Sequence, residues 1–309
     1  MAERAVIESH VAVIPSPRSE PDSYTNENPL FSQPGVRSAF GGALVGQAIA
    51  SASATVPTGF VVYSSQTAFV LPAKSDEQVG YHVEHTANGR TYATRIVRAI
   101  QGDNNQCIFV STVSFQNRGI SLGNALRYSI PMPSLSSSPE EIPQERAQQL
   151  TKAHVDESVP VLRHTTEGEP FDWRPMGLEF QKEPSQFIMR GFLRSSPLSS
   201  DSPSVHLAAL AYASDEHTLG PALYGNVAQV GLAIQNVTMV ATLIHNLSFH
   251  DAGARADEWM VCERGTSWGA NGRVLVHQRM WNWKTGQLVM SGTQEALIRL
   301  KDVKGHTKL

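Results

Sequence analysis

Two stretches of the chain alternate apolar and polar positions in the same order. Residues 87–116 and 270–300 each begin with the turn tetrapeptide Ala-Asn-Gly-Arg and continue as an alternating strand, a polar turn and a second strand. An apolar segment with the length of a short helix precedes each of them, at 41–56 and 204–214. A helix followed by an antiparallel meander, present twice, predicts a duplicated α+β unit.

Polar segments mark the borders of the two units. Residues 1–36 are rich in Pro, Ser, Asn and charge, which predicts an irregular N-terminal tail. The two units extend over 37–130 and 166–309, and 131–165 is predicted to be a linker. Within this linker, 144–153 is the candidate for one short solvated helix.

The first helix candidate carries small residues along one face. Gly42, Gly46, Ala50 and Ala54 recur at every fourth position and therefore share one side of a helix. Such a stripe lets a helix approach another backbone closely, and we expect it to nest the helix into a curved sheet. The glycines at its start leave backbone N–H groups uncovered at the positive end of the helix dipole.

Composition narrows the range of partners. Of the 309 residues, 41% are hydrophobic and 17% are charged, which is enough apolar surface for a sizeable core. The net charge is −3 and no long basic block occurs, so nothing indicates a nucleic-acid or anionic-membrane surface.

Cys107 and Cys262 lie in apolar runs without a Cys/His cluster, and we therefore expect no metal. The most apolar long window, 227–244, is interrupted by Gln and Asn and is not expected to span a membrane.

A carboxylate ends the second helix candidate. The nearly unbroken apolar run from Leu207 to Ala213 is followed by Ser214 and Asp215. An acidic residue is rarely placed in apolar surroundings unless a partner or a task requires it. From the residues alone, Asp215 is either a helix-end carboxylate in a structural ion pair or a catalytic group, and the structural alternative is favoured.

Several motifs resemble one known family. "FGGALVGQAIASASATVP", "FVLPAKSDEQVGYHVEHTANGRTYATRIVRAIQ" and "STVSFQ" resemble the N-terminal hotdog of the acyl-CoA thioesterase II (TesB-like) family. "LAALAYASD", "ATLIHNLSFH" and "SGTQEALIR" resemble its C-terminal hotdog, in family order. The resemblance implies a double hotdog, with two helix-wrapped antiparallel sheets in one chain joined by a linker. It also implies cofactor-free hydrolysis of a fatty or related acyl-CoA to free acid and coenzyme A, by a homo-oligomer that is a dimer or a tetramer.

The resemblance further implies a set of site residues. Asp215, Thr242 and Gln294 stand where the family has the Asp, Thr and Gln that hold and polarise the attacking water. Thioester hydrolysis needs a positioned water, a group that takes its proton, and donors for the oxyanion. Backbone N–H groups at Gly41 and Gly42, in the other hotdog, are the expected oxyanion donors.

One segment departs from the family pattern. "IHNLSFH" has Ile244 where the family usually has Asp and Ser248 where it has Trp. We expect the smaller Ser248 to open space near the site, which favours an unusual acyl chain such as one from secondary metabolism. Two alternatives stay open: a hotdog hydratase or dehydratase acting on an enoyl or hydroxyacyl thioester, and a non-catalytic acyl-CoA-binding protein.

Other features have ordinary structural explanations. His245 and His250 are expected to be packing groups or to act behind the reacting groups. Arg95 and Arg98 could flank the phosphates of coenzyme A, but solvated strand arginines are the favoured interpretation. The chain ends in His-Thr-Lys-Leu, which is near to the Ser-Lys-Leu peroxisomal signal but differs from it, so the expected location is the cytosol or the peroxisome.

Overall fold

The computed structural model describes residues 4–17, 21–32, 38–121, 123–142, 169–178, 183–231 and 235–301. The N-terminal half contains α1 (Val6–Val11), β1 (Val13–Pro15), β2 (Ser23–Asn26), α2 (Gly41–Ser53), β3 (Phe60–Phe69), β4 (Val79–Asn88), β5 (Tyr92–Gln101) and β6 (Gln106–Asn117). The C-terminal half contains β7 (Phe171–Leu178), β8 (Ile188–Ser195), α3 (Pro203–Asp215), α4 (Gly220–Tyr224), α5 (Val227–Val230), β9 (Val237–Phe249), β10 (Met260–Ala270), β11 (Arg273–Asn282) and β12 (Leu288–Leu300). Both expected helices and both expected hairpins are present.

The strands of both halves form one antiparallel sheet. Its twelve strands follow the order β1-β2-β4-β5-β6-β3-β9-β12-β11-β10-β8-β7. The first half contributes the order β4-β5-β6-β3, and the second half contributes its equivalent strands in the reverse order, β9-β12-β11-β10. This is the duplication that the sequence predicts. The two sets meet where β3 pairs with β9, from Ser64 opposite Ser248 to Ala68 opposite Ile244. The two predicted sheets are thus joined edge to edge.

Both long helices pack against the inner face of this sheet and against each other. A Cβ on Gly42 would lie 2.5 Å from the carbonyl oxygen of Tyr212, and one on Gly46 would lie 3.0 Å from that of Ala208. The small residues of α2 therefore face α3, and the prediction that this stripe nests into the sheet is wrong at these two glycines. The physical reason is that two helices share one sheet face, so their backbones must approach closely. Among the described residues, no helix is both long and apolar enough to cross a membrane.

The N-terminal segment is more ordered than its composition predicts. Ile7 and Val11 of α1 are buried, and β1 and β2 extend the sheet beyond β4. Glu8 accepts hydrogen bonds from the backbone N–H and the hydroxyl of Ser199, at 2.9 and 2.8 Å. The prediction of an irregular tail over 1–36 is therefore wrong for these elements. A few buried apolar side chains and one hydrogen-bonded carboxylate, that of Glu8, are enough to hold them against the rest of the fold.

The described part of the linker crosses the outer face of the C-terminal strands. Ile142 is buried, and the carbonyl oxygen of Pro139 accepts a hydrogen bond from Arg174 at 2.7 Å. Ile130, just before the linker, accepts one from Trp281 at 3.2 Å. The predicted short helix at 144–153 lies outside the described residues. The borders of the two units stay a prediction.

Candidate active site

The last residue of α3 is Asp215, at the end of a helix that is buried over most of its length. The side chains from Leu207 to Ser214 have no exposed surface, whereas Asp215 is partly exposed. The helix stops there because Glu216 adopts an extended conformation, with φ −67° and ψ 130°. The carboxylate is thereby presented at the edge of the helical layer, where solvent can reach it.

Gln294 connects Asp215 with Thr242. The side-chain amide nitrogen of Gln294 lies 2.8 Å from Oδ1 of Asp215 and 2.6 Å from Oγ1 of Thr242, and it donates to both oxygens. The structure therefore brings together the three residues that the resemblance implies, although Gln294 is 79 and 52 positions away from the other two in the chain. Because Thr242 accepts this bond, its own hydroxyl proton is available to another acceptor. The Oε1 atom of Gln294 is buried and has no partner in the described parts of the chain.

A β-bulge places Thr242 on the inner face. Gln294 lies opposite His245, but the register between β12 and β9 then shifts so that Ala296 lies opposite Thr242. In a regular strand Thr242 and His245, three positions apart, would face opposite sides of the sheet. The extra residue in β9 turns Thr242 towards Gln294, as bulges beside active sites often re-aim a side chain. No sequence signal indicates this bulge.

The start of α2 faces the same carboxylate. A Cβ on Gly41 would lie 2.8 Å from Oδ2 of Asp215 and 3.2 Å from Cζ of Phe69. The first N–H groups of a helix have no acceptor within the helix, and they carry its positive dipole end. Asp215 therefore has one oxygen on Gln294 and the other directed towards the positive end of α2. Gly42, by contrast, lies against Tyr212 and serves close packing of the two helices.

His245 is a neutral, fully buried neighbour of this site. Burial lowers the pKa of His245, and the nearby negative charge of Asp215 opposes that shift only partly. The Ser214 hydroxyl donates to the carbonyl of Ala211 at 2.6 Å, so it must accept the 3.2 Å hydrogen bond from Nε2 of His245. His245 thus orients the end of α3 and matches the supporting role that the sequence predicts.

The departures from the family pattern lie on the other face of the sheet. Leu247 and Phe249 are buried on the inner side, whereas Ile244 is 37% exposed and Ser248 is exposed. Ser248 pairs with Ser64 and Ser291, and these side chains point away from the helices. The prediction that Ser248 opens space near the site is therefore wrong, because strand alternation turns it outward.

Arg95 also has a different place from the one the sequence favoured. Its side chain is 1% exposed, and it donates to the hydroxyl and the carbonyl of Thr55 at 2.8 and 3.0 Å, just beyond α2. Arg95 is therefore a buried structural residue rather than a solvated strand arginine. Arg98, on the other face of β5, is exposed as expected.

This arrangement, one buried helix per repeat inside a shared antiparallel sheet, is a double hotdog. Two family models match the chain: "Acyl-CoA thioesterase N-terminal domain" over residues 32–116 and "Acyl-CoA thioesterase C-terminal domain" over residues 138–298. The chain belongs to the acyl-CoA thioesterase family, and its enzyme class is therefore that of an acyl-CoA thioesterase.

Individual relatives agree with this assignment. The chain is 31% identical over 283 residues to acyl-coenzyme A thioesterase 8 of Mus musculus, covering 87% of this chain and 83% of the relative. It is 25% identical over 270 residues to acyl-CoA thioesterase 2 of Haemophilus influenzae, covering 87% and 90%. Among solved structures it is similar to the acyl-CoA thioesterase II TesB2 of Mycobacterium marinum, with a TM-score of 0.71, 25% identity and coverage of 98% and 99%.

Proposed function

We propose that this chain hydrolyses an acyl-CoA thioester with a water molecule held by Asp215, Thr242 and Gln294. The observation that carries the proposal is the single amide nitrogen of Gln294, which donates to both Asp215 and Thr242. This amide holds the Asp215 carboxylate and the Thr242 hydroxyl close to each other, beside the start of α2. Positioning a nucleophile and its base in this way removes much of the entropic barrier to reaction.

Asp215 is the proposed general base. Its Oδ1 is engaged by Gln294, so Oδ2, on the side of Gly41, is the oxygen that accepts a proton from water. The Thr242 hydroxyl, whose oxygen already accepts a bond from Gln294, donates to the same water and orients its lone pair. The hydroxide that results forms the new C–O bond at the thioester carbon, and the proton stays on Asp215.

The tetrahedral intermediate then collapses. Backbone N–H groups at Gly41 and Gly42, at the positive end of α2, are the proposed donors to its oxyanion. The C–S bond breaks, the thiolate of coenzyme A leaves, and the proton held by Asp215 returns to the products. The balance is one acyl-CoA and one water consumed, and one carboxylic acid and one free thiol released.

The identity of the acyl group is a separate part of the proposal. A specialised acyl chain, such as one from secondary metabolism, stays a prediction, but Ser248 no longer supports it because that side chain faces outward. Phe69 borders Gly41 and packs edge-on against Phe109 at 5.3 Å between ring centroids, which favours an apolar acyl group beside the site.

A panel of acyl-CoA substrates tests the activity. Thiol release is measured with straight-chain, branched and aromatic acyl-CoAs, and the absorbance of a conjugated enoyl-CoA is followed in parallel. We expect thiol release from at least one saturated acyl-CoA and no addition of water to the enoyl double bond. Hydration without thiol release would instead support the hydratase alternative, and neither reaction would support the non-catalytic binding protein.

Self-association and location are also proposed. We expect a dimer or tetramer, since the outer face of the sheet carries exposed apolar side chains such as Tyr63, Tyr92 and Ile244. Light scattering on the purified chain measures this. For location, a tagged chain with and without Lys308 and Leu309 distinguishes peroxisome from cytosol.

A further inference from the structure

Two buried side chains of the sheet hold the backbone immediately before Asp215. Arg264 donates through Nη2 to the carbonyl oxygen of Ala213 at 3.3 Å, and Gln278 donates through Nε2 to that of Ser214 at 2.9 Å. These carbonyls belong to the last turn of α3, where few backbone donors remain: that of Ala213 also accepts the N–H of Glu216 at 3.2 Å, and that of Ser214 also accepts the hydroxyl of Thr218. Arg264 and Gln278 lie directly opposite each other on β10 and β11, and they are only 1% and 2% exposed.

Arg264 is placed at a position that is costly for a cation. Within the described residues, no carboxylate lies at ion-pair distance from it, and its Nε and Nη1 atoms are buried without hydrogen-bond partners. Its guanidinium lies 5.0 Å from the centre of the Trp173 ring. A buried charge without a paired carboxylate destabilises a fold, so its presence beside a candidate site points to a task there.

The electrostatic surroundings indicate what this task is. The carbonyl end of α3 is the negative end of the helix dipole, and Asp215 and Glu216 add two carboxyl groups to it. Burial raises the pKa of Glu216 to about 8, although the charge of Arg264 opposes this shift. Glu216 is therefore mostly protonated at neutral pH, and the charge of Arg264 acts on the helix end and on Asp215.

We propose that Arg264 and Gln278 are positioning residues for the thioesterase reaction. Together they fix the last turn of α3, so that the Asp215 carboxylate stays in contact with Gln294, and Arg264 supplies the positive charge that keeps an anion favourable at the negative end of the helix. This inference rests on the proposed role of Asp215 as the base. Neither Arg264 nor Gln278 touches substrate in this scheme.

The test compares the kinetics of three variants of the full chain. Arg264→Met removes the charge and the donor, Arg264→Lys keeps the charge, and Gln278→Met removes the second donor without a change of charge. We expect Arg264→Met to lower kcat about 10- to 100-fold with KM changed by less than about 3-fold, and Arg264→Lys to recover most of the loss. Gln278→Met should lower kcat by roughly 3- to 10-fold, because only one of the two carbonyl contacts is lost.

Arg279→Met, on the strand of Gln278 but with an exposed side chain, is the matched control and should keep the wild-type kcat. All rates are taken per folded protein, from the circular-dichroism melt of each variant. A wild-type kcat in folded Arg264→Met, or an equal loss in the Lys and Met variants, overturns the role of the charge. If Arg264→Met does not fold, Gln278→Met decides the positioning role, and an unchanged kcat there overturns it. The proposed function fails separately, if Asp215→Asn keeps its activity.

Discussion

Gly41 leaves a gap between the start of α2 and the Asp215 carboxylate that a single methyl group would fill. The Cβ of Gly41→Ala would lie 2.8 Å from Oδ2 of Asp215 and between 3.2 and 3.3 Å from the nearest ring atoms of Phe69. Gly41 is not among the residues with positive φ, so alanine meets no backbone strain there. The carboxylate or the helix must therefore move by roughly 0.5 Å to restore an ordinary contact.

The size of the effect follows from that displacement. A misplacement of about 1 Å in a reacting group costs about 100-fold in rate, so half of that distance costs roughly 10-fold or more. We expect Gly41→Ala to lower kcat about 10- to 100-fold, which corresponds to about 1.4–2.7 kcal/mol of transition-state stabilisation. The unfolding free energy should fall by about 1 kcal/mol, because overpacking at the edge of the layer is relieved more easily than in a core.

The assay is thiol release from the best acyl-CoA of the panel, together with a thermal melt. Gly269→Ala is the matched control, because its Cβ would meet Val274 at an ordinary 3.5 Å on an exposed strand end. It should keep the wild-type kcat. A folded Gly41→Ala variant with more than half of the wild-type kcat would refute the reasoning that the base and the start of α2 enclose the reacting atoms.

Three further substitutions test other parts of the account. Thr242→Val keeps the shape but loses the hydroxyl, so kcat should fall about 10-fold or more, whereas Thr238→Val on the same strand should not change it. The folded-state pKa of Glu216, about 8, is above its unfolded value, so the stability it contributes is present below about pH 4.5 and is lost as the pH rises through 8. Thermal melts from pH 5 to 9 should therefore show the wild type losing stability relative to Glu216→Gln. A difference in stability that does not change with pH contradicts this. Arg95→Met should lower the unfolding free energy by about 1–3 kcal/mol in urea titrations, with the exposed Arg98→Met unchanged within about 0.5 kcal/mol.

Local patterns of the sequence predict much of the fold. The helices at 41–56 and 204–214 are observed as Gly41–Ser53 and Pro203–Asp215, because an apolar run between turn residues determines a buried helix locally. The pairing of β3 with β9 could not be predicted in this way, since it joins strands that lie far apart in the chain. The docking of α1 depends on Glu8 and Ser199, and such a long-range contact leaves no periodic signal.

The candidate site, too, is only partly predictable from local sequence patterns. Asp215 is conspicuous in the sequence, but Thr242 and Gln294 are ordinary strand residues until the fold brings them to it. Strand alternation alone places Thr242 on the wrong face, since the bulge in β9 has no sequence signal. The same alternation, applied to "IHNLSFH", correctly separates Ser248 from Leu247 and Phe249, and it would have indicated that Ser248 faces away from the site.

The rate of thiol release by Asp215→Asn tests the central claim most directly. The amide keeps the shape of the side chain but cannot take a proton from water, so kcat should fall about 100- to 10,000-fold while the melting temperature changes little. Asp201→Asn, at an exposed position just before the start of the same helix, is the control and should behave as wild type. Thiol release by folded Asp215→Asn at the wild-type rate would contradict the account, because the water would then be activated by another group.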